Sequence, residues 1–153
     1  AEWTPVGPSS YELLYRSGAG LTPRPLRRIA SGGELSRVML ASKVVLGNTD
    51  GVDTLVFDEV DAGVGGSTAR ALAGVLADLA ATHQVMVVTH LAQVAVMADK
   101  HYVVSKEPGD VPQTHLDEVT GEARTAEIAR MLSGDQSEAS LAHAKQMLEE
   151  ARG

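Results

Sequence analysis

The sequence of 153 residues has no cysteine, no apolar run long enough to cross a membrane and no excess of basic residues. Without cysteine, the protein can form neither disulfides nor metal sites with thiolate ligands. The absence of cysteine is also compatible with a reducing cytoplasm. No apolar run approaches the roughly 20 residues that a membrane-spanning helix needs, and the first residues lack the pattern of a signal peptide. We therefore expect a soluble, cytoplasmic protein with one globular domain.

The net charge of -7 argues against a broad surface for nucleic-acid binding. The segment Arg24-Pro-Leu-Arg-Arg28 is a local exception. A solvated loop ahead of a helix is the simpler interpretation of Arg24, Arg27 and Arg28. Contact with DNA phosphates or with an acidic partner is the alternative.

Apolar runs that alternate with helical patterns predict the fold class. Residues 55–57 and 85–88 are continuous apolar runs, as expected of strands buried on both faces. Further strands are predicted at residues 11–16, 101–105 and 113–119, the last as an edge strand. Helices are predicted at residues 33–46, 67–81, 91–98, 122–132 and 137–151. This order indicates an α/β fold with a mostly parallel, helix-covered sheet and C-terminal helices. Residues 1–10 are expected to be a flexible leader, and residues 11–153 the folded lobe.

Two adjacent carboxylates, Asp58 and Glu59, follow the first buried strand. The carboxyl edge of a parallel sheet is where open α/β proteins bind ligands. In phosphoryl transfer one acid holds Mg²⁺, usually through water, while another orients or deprotonates the attacking water. On this hypothesis Asp58 is the metal ligand and Glu59 the general base. A helix cap or a loop acid is the structural alternative for each.

His90 ends the next buried strand and is therefore expected at the same edge of the sheet. There its ring could hydrogen-bond a terminal phosphate oxygen. The simpler alternative is a helix-capping or buried histidine whose hydrogen bonds are satisfied. Thr89 is a second candidate for the cap of the helix that follows.

The segment Ser31-Gly-Gly-Glu34 begins the first long helix. Free N–H groups and the helix dipole make such a terminus an anion site, and glycine lets the backbone approach a phosphate. A flexible helix entry capped by Ser31 is the alternative. The joint occurrence of this segment, the carboxylate pair and His90, in this order, favours the functional interpretation of all three.

With these motifs the chain resembles the RecN family, bacterial SMC-like proteins of DNA double-strand-break repair. Ser31-Gly-Gly-Glu34 is similar to the signature of an ATP-binding-cassette (ABC) ATPase, residues 55–59 to its Walker B strand, and Ala62-Gly-Val-Gly65 to its D-loop. His90 is similar to its switch histidine. Four segments resemble RecN sequences more specifically than ABC proteins in general, namely residues 30–37, 57–66, 88–99 and 127–134.

The resemblance implies that the chain is the C-terminal lobe of a P-loop NTPase head of the ABC type. The N-terminal lobe and a long coiled coil would then lie ahead of Ala1. The phosphate-binding loop Gly-x-x-x-x-Gly-Lys-Ser/Thr (Walker A) does not occur in this sequence, so the lobe alone is expected to be inactive. Implied cofactors are ATP and Mg²⁺. Implied partners are the N-terminal lobe, a second head and, through the full-length protein, DNA in the nucleoid.

The resemblance also distributes roles over two facing heads. The residues that would serve the nucleotide of their own head are Asp58, Glu59 and His90. The residues that would bind the nucleotide held by the partner head are Ser31, Gly32, Gly33 and Glu34. Gly65 stands where ABC proteins usually have the D-loop aspartate, and Asp61 is the candidate to act instead.

Two other functions are compatible with the residues. The lobe could be a non-enzymatic module for dimerisation or docking, through the signature helix and the C-terminal helices. It could also be the head fragment of another ABC or SMC-family ATPase. An exposed carboxyl edge without its partner lobe also predicts poor solubility or self-association.

Overall fold

The computed structural model describes residues 7, 11–29, 31–107 and 113–151, so the expected leader lies outside the described residues except for Gly7. The helices are α1 (Gly32–Leu46), α2 (Gly66–Ala80), α3 (Ala92–Ala95), α4 (Gly121–Ser133) and α5 (Glu138–Glu150). Short 3-10 helices span Leu26–Arg28 and Gly47–Asp50. The strands are β1 (Leu14–Tyr15), β2 (Arg24–Pro25), β3 (Thr54–Phe57), β4 (Gln84–Val87), β5 (His101–Glu107) and β6 (Gln113–Val119). The predicted α/β class is confirmed.

The described strands form three two-stranded sheets instead of one larger sheet. β3 and β4 are parallel, with Thr54 opposite Gln84, whereas β1–β2 and β5–β6 are antiparallel. In the described part of the chain, the expected mostly parallel sheet is thus limited to the β3–β4 pair. The reason for the β5–β6 hairpin is its short connection, residues 108–112, because parallel pairing needs a crossover of a dozen residues or more.

Two hydrophobic clusters hold the elements together. The first joins α1, β3 and α2 with the loop after β3 and with α3, through Leu40, Leu55, Phe57, Val60, Leu72, Ala73, Leu76, Leu79 and Val94. The second joins α3 and the residue after it to the two C-terminal helices, through Ala92, Ala95, Val96, Ile128, Ala129, Ala144 and Leu148. Because α3 contributes to both clusters, the C-terminal helices are anchored to the segment that follows β4.

One face of the β3–β4 pair is open. Leu55 and Phe57 point into the first cluster, but Val56 on the same strand is 64% exposed. On and just after β4, Met86 is 52% and Val88 62% exposed. Successive side chains of a strand point to opposite faces, so α2 covers one face and an apolar strip remains on the other. None of the helices in the described residues is long and apolar enough to cross a membrane.

Candidate functional site

Three segments that carry the predicted site residues meet at the carboxyl end of β3. Ser36, in the first turns of α1, donates a hydrogen bond from Oγ to the backbone oxygen of Asp58 at 2.6 Å. Beyond the paired strands, the N–H of Val88 donates to the oxygen of Phe57 at 2.9 Å. The start of α1, the carboxylate pair and the segment leading to His90 therefore lie side by side, as expected for one site.

Arg37 fastens α1 to the loop after β3. Its Nη1 donates to the backbone oxygen of Val60 at 3.1 Å and to that of Ala62 at 2.9 Å. These two carbonyls flank Asp61 in the chain. The sequence did not predict a role for Arg37, because its acceptors are backbone oxygens, which every residue has and which residue types therefore do not reveal.

Glu59 is the only residue other than glycine with a positive φ among the described residues, at 56°. This left-handed backbone costs a non-glycine residue roughly 1–2 kcal/mol. Its side chain turns towards the start of α1, where a Cβ added to Gly32 would lie 2.5 Å from Glu59 Oε2. Such strain is common at functional positions, where the surroundings hold an unfavourable conformation in place.

Gly33 is buried against the same loop. A Cβ there would lie 2.8 Å from the Cβ of Ala62 and 2.8 Å from the backbone oxygen of Glu59. Gly33 thus has a packing reason within the chain, since it lets the start of α1 approach the loop after β3, whereas Gly32 faces the movable end of the Glu59 side chain. That reason holds with or without a phosphate at the helix terminus.

Ser31 caps α1, as the simpler interpretation of this segment predicts. Its Oγ accepts a hydrogen bond from the N–H of Glu34 at 3.4 Å. Ser31 and Gly32 are exposed and Glu34 is half-buried. The serine and the first glycine are consequently accessible to a molecule that approaches the helix terminus from outside.

Asp61 is buried, with only 2% of its surface exposed. Its Oδ2 accepts hydrogen bonds from the hydroxyl of Thr89 and, at 3.1 Å, from the backbone N–H of His90. The same oxygen lies 3.2 Å from Nδ1 of the His90 ring. In this arrangement the Asp61 carboxylate contacts the segment after β4 and is shielded from solvent.

The side chain of His90 is 71% exposed. Because Nδ1 faces the Asp61 carboxylate, Nε2 is the ring nitrogen available to a ligand. Thr89 also accepts a hydrogen bond from the N–H of Leu91 at 3.0 Å. The side-chain oxygen of Thr89 thus holds the backbone just ahead of α3, whose N-cap residue is Leu91.

Asp58 is exposed at the end of β3. In the part of the chain that the structure describes, no cluster of three or more histidine, aspartate or glutamate side chains is arranged to hold a metal ion. Mg²⁺ commonly binds through one or two carboxylates together with waters and substrate phosphates. One accessible carboxylate therefore fits a magnesium ion that arrives with a nucleotide.

The basic segment lies apart from these contacts. Arg27 Nη2 is 2.6 Å from Oε1 of Glu12, and the Arg27 side chain is 74% exposed. Arg24 lies in β2, paired with Tyr15 of β1. Arg27 thus has an acidic partner within the chain, and contact of Arg24, Arg27 or Arg28 with DNA stays a prediction.

Comparison with known proteins adds sequence relatives, although no family model matches the chain. The chain is 52% identical over 146 residues to the DNA repair protein RecN of Treponema pallidum, a match that covers 94% of this chain and 26% of the relative. It is 49% identical to RecN of Streptomyces coelicolor and 50% identical to RecN of Deinococcus radiodurans, each over 97% of this chain and 26% of the relative. The chain thus spans about a quarter of the length of the curated relatives it matches. The resemblance to RecN is confirmed.

Among solved structures, the chain is similar to one described as "Structural biochemistry of ATP-driven dimerization and DNA stimulated activation of SMC ATPases". The identity is 21% and the TM-score 0.48, over 88% of this chain and 69% of the other.

Proposed function

We infer that this chain is the C-terminal part of a RecN-like ATPase of DNA repair, in which two heads bind and hydrolyse ATP between them. One observation carries the inference. In a chain about half identical to RecN proteins, Glu59, His90 and the start of α1 adjoin one edge of the β3–β4 pair. The same relatives do not favour a non-enzymatic docking module or a head fragment from another ABC or SMC-family ATPase.

The residues at the end of β3 would divide the work of hydrolysis. Asp58 is exposed and would hold Mg²⁺, an ion that neutralises phosphate charge when it is bound. Glu59 would orient the attacking water and accept its proton as the water oxygen bonds to the terminal phosphorus and the bond from that phosphorus to the leaving ADP breaks. His90, through Nε2, would hydrogen-bond the terminal phosphate. Each role suits a side chain that the fold presents to solvent at this edge.

The start of α1 would serve a nucleotide held by a second copy. Ser31 and Gly32 are exposed and, with Gly33 and Glu34, form a helix terminus whose dipole favours anions. In the single chain the carboxylate of Glu59 lies beside Gly32. Since a phosphate and a carboxylate repel each other, docking of a phosphate there requires Glu59 to leave this position. The approach of a second head and the placement of Glu59 would thereby be coupled.

The rest of the head would come from outside this chain. The chain spans about a quarter of its relatives, and its sequence contains no Walker A loop. We assign residues 11–153 to the C-terminal lobe and residues 1–10 to a leader. The N-terminal lobe would supply the phosphate-binding loop and cover the open face of β3–β4, and contact with DNA would be made through the full-length protein.

ATP turnover by the full-length protein, with and without Glu59→Gln at saturating Mg²⁺, tests this function. We expect Glu59→Gln to lower kcat by at least about 100-fold, the usual contribution of a general base, while ATP-stabilised dimerisation persists. Glu149→Gln, the same change at an exposed position of α5, is the control and should retain wild-type kcat. Unchanged turnover in Glu59→Gln would refute the catalytic role of this edge.

A further inference from the structure

The carboxylate of Asp61 accepts two hydrogen bonds, from Thr89 and from the backbone of His90, and lies close to the His90 ring as well. The hydroxyl of Thr89, the backbone N–H of His90 and the ring Nδ1 of His90 all face the same oxygen, Oδ2. A buried carboxylate is tolerated only when donors of this kind compensate for its lost hydration. The donors here belong to the segment that ends in His90, so the burial of Asp61 and the conformation of that segment depend on each other.

The loop that carries Asp61 is itself braced. Arg37 binds the carbonyls of Val60 and Ala62, on either side of Asp61. Two turns within the loop add backbone hydrogen bonds, from Ala62 N to Glu59 O at 3.0 Å and from Val64 N to Asp61 O at 3.0 Å. The oxygen that faces His90 is therefore presented from a loop fixed on both sides.

The ring of His90 has little else to orient it. With 71% of the side chain exposed, packing leaves the ring free to rotate, whereas the 3.2 Å contact of Nδ1 with Asp61 Oδ2 selects one orientation. A phosphate oxygen can only accept a hydrogen bond, so Nε2 must carry a proton to donate to it, and Nδ1 must carry one as well if it donates to Asp61. With Nδ1 held towards the carboxylate, Nε2 is turned to the ligand. Carboxylates orient catalytic and metal-binding histidines in this way in other proteins.

We propose that Asp61 is a positioning residue that fixes the orientation of His90, and that Arg37 holds the loop of Asp61 for this purpose. On this proposal Asp61 acts through His90, whereas the sequence named it as the candidate to act in place of the D-loop aspartate. The inference rests on the proposed function, since the orientation of His90 matters to turnover only if His90 meets a phosphate.

A double-mutant cycle in the full-length protein tests the proposal, with kcat and KM for ATP measured for Asp61→Ala, His90→Ala and both changes together. We expect each single change to lower kcat by about 10-fold or more, as loss of an orienting group typically does, with KM nearly unchanged. In the His90→Ala background, Asp61→Ala should cost almost nothing further. A similar kcat loss from Asp61→Ala in both backgrounds, or a rise in KM alone, would overturn the proposal.

Removal of a buried carboxylate can also unfold the protein, so a second variant is needed. Asp61→Ser keeps a polar group at the buried position, but the serine side chain is too short to reach Nδ1 of His90. If Asp61→Ala does not fold, the same double-mutant cycle with Asp61→Ser tests the proposal. Leu148→Ala, in the second hydrophobic cluster, controls for stability and should lower the melting temperature yet retain kcat. If Glu59→Gln abolishes turnover while Asp61→Ser is fully active, the positioning role alone is wrong.

Discussion

The two glycines at the start of α1 meet different neighbours. At Gly32 an added Cβ would meet Oε2 of Glu59, the far end of a flexible side chain. At Gly33 it would meet the backbone oxygen of Glu59 and the Cβ of Ala62, both part of the packed loop. A side chain can rotate away, whereas a loop held by Arg37 cannot, so the two positions differ in what a methyl group displaces.

Gly33→Ala and Gly32→Ala are accordingly a matched pair. We expect Gly33→Ala to lower the free energy of unfolding by about 2 kcal/mol, as overpacking against backbone does. Gly32→Ala should change it by less than about 1 kcal/mol, because the helix propensity of alanine offsets the local clash. Urea titration monitored by circular dichroism measures both values. Equal losses would show that the loop after β3 yields as easily as the Glu59 side chain.

The sequence could nominate individual candidate residues for the site only where a local pattern marks them. Asp58, Glu59 and His90 follow apolar runs, and Ser31 precedes a glycine pair and a helical period. The role of Asp61 depends on Thr89 and His90, which lie 28 and 29 positions away in the chain. No local pattern encodes that contact, and Arg37 was missed for the same reason.

The junction of α4 and α5 is held by one exposed carboxylate. Asp135 Oδ1 accepts hydrogen bonds from the hydroxyls of Ser133, Ser137 and Ser140 and from the N–H of Ser137. Led by the bond from Ser140, these donors lower the pKa of Asp135 from 3.8 to about 2. A lowered pKa in the folded state means that ionised Asp135 stabilises the fold above about pH 4. The contribution disappears as the pH falls through 2.

The variant Asp135→Asn reports this contribution. We expect wild type to melt at a higher temperature than Asp135→Asn at pH 5, and the difference to shrink as the pH approaches 2. Asp78→Asn, at an exposed position of α2, is the control and should show no comparable trend. A melting-temperature difference that stays constant from pH 5 to pH 2 would contradict the role of the ionised carboxylate.

Whole elements were easier to predict than their pairing. Helical spacing of apolar residues placed α1, α2, α4 and α5 within one or two residues of their observed bounds. The pairing of β5 with β6 was not predicted, because the apolar residues at 101–105 suit a parallel strand as well as a hairpin. Which partner a strand takes depends on the length of the connection and on the neighbours that it meets.

At the scale of the molecule, the open face of β3–β4 is the main apolar surface that no described element of the chain covers. Val56, Met86 and Val88 form an apolar strip, and Leu35 and Met39 of α1 line a shallow cleft beside β3. Contiguous apolar surface of this kind normally contacts another protein surface. The proposed N-terminal lobe would cover it in the full-length protein.

The chain alone is therefore expected to self-associate through this face. Sedimentation velocity at increasing concentration should show wild type forming oligomers, and Val56→Lys together with Met86→Lys should shift the chain towards monomer, because the added charges oppose burial. Ala71→Lys, at an exposed position of α2 on the covered side of β3, is the control and should leave association unchanged. Association that persists in the double variant would place the contact elsewhere.

The left-handed backbone at Glu59 sets two selective pressures against each other. Glycine, and to a lesser degree asparagine, adopts that conformation at lower cost than glutamate, so selection for stability alone would replace Glu59. If Glu59 is the general base, selection for ATP turnover would retain it. A lineage that no longer needs to hydrolyse ATP, but still needs the folded lobe, would then lose this glutamate early. The left-handed turn would be retained there with glycine or asparagine in place of Glu59.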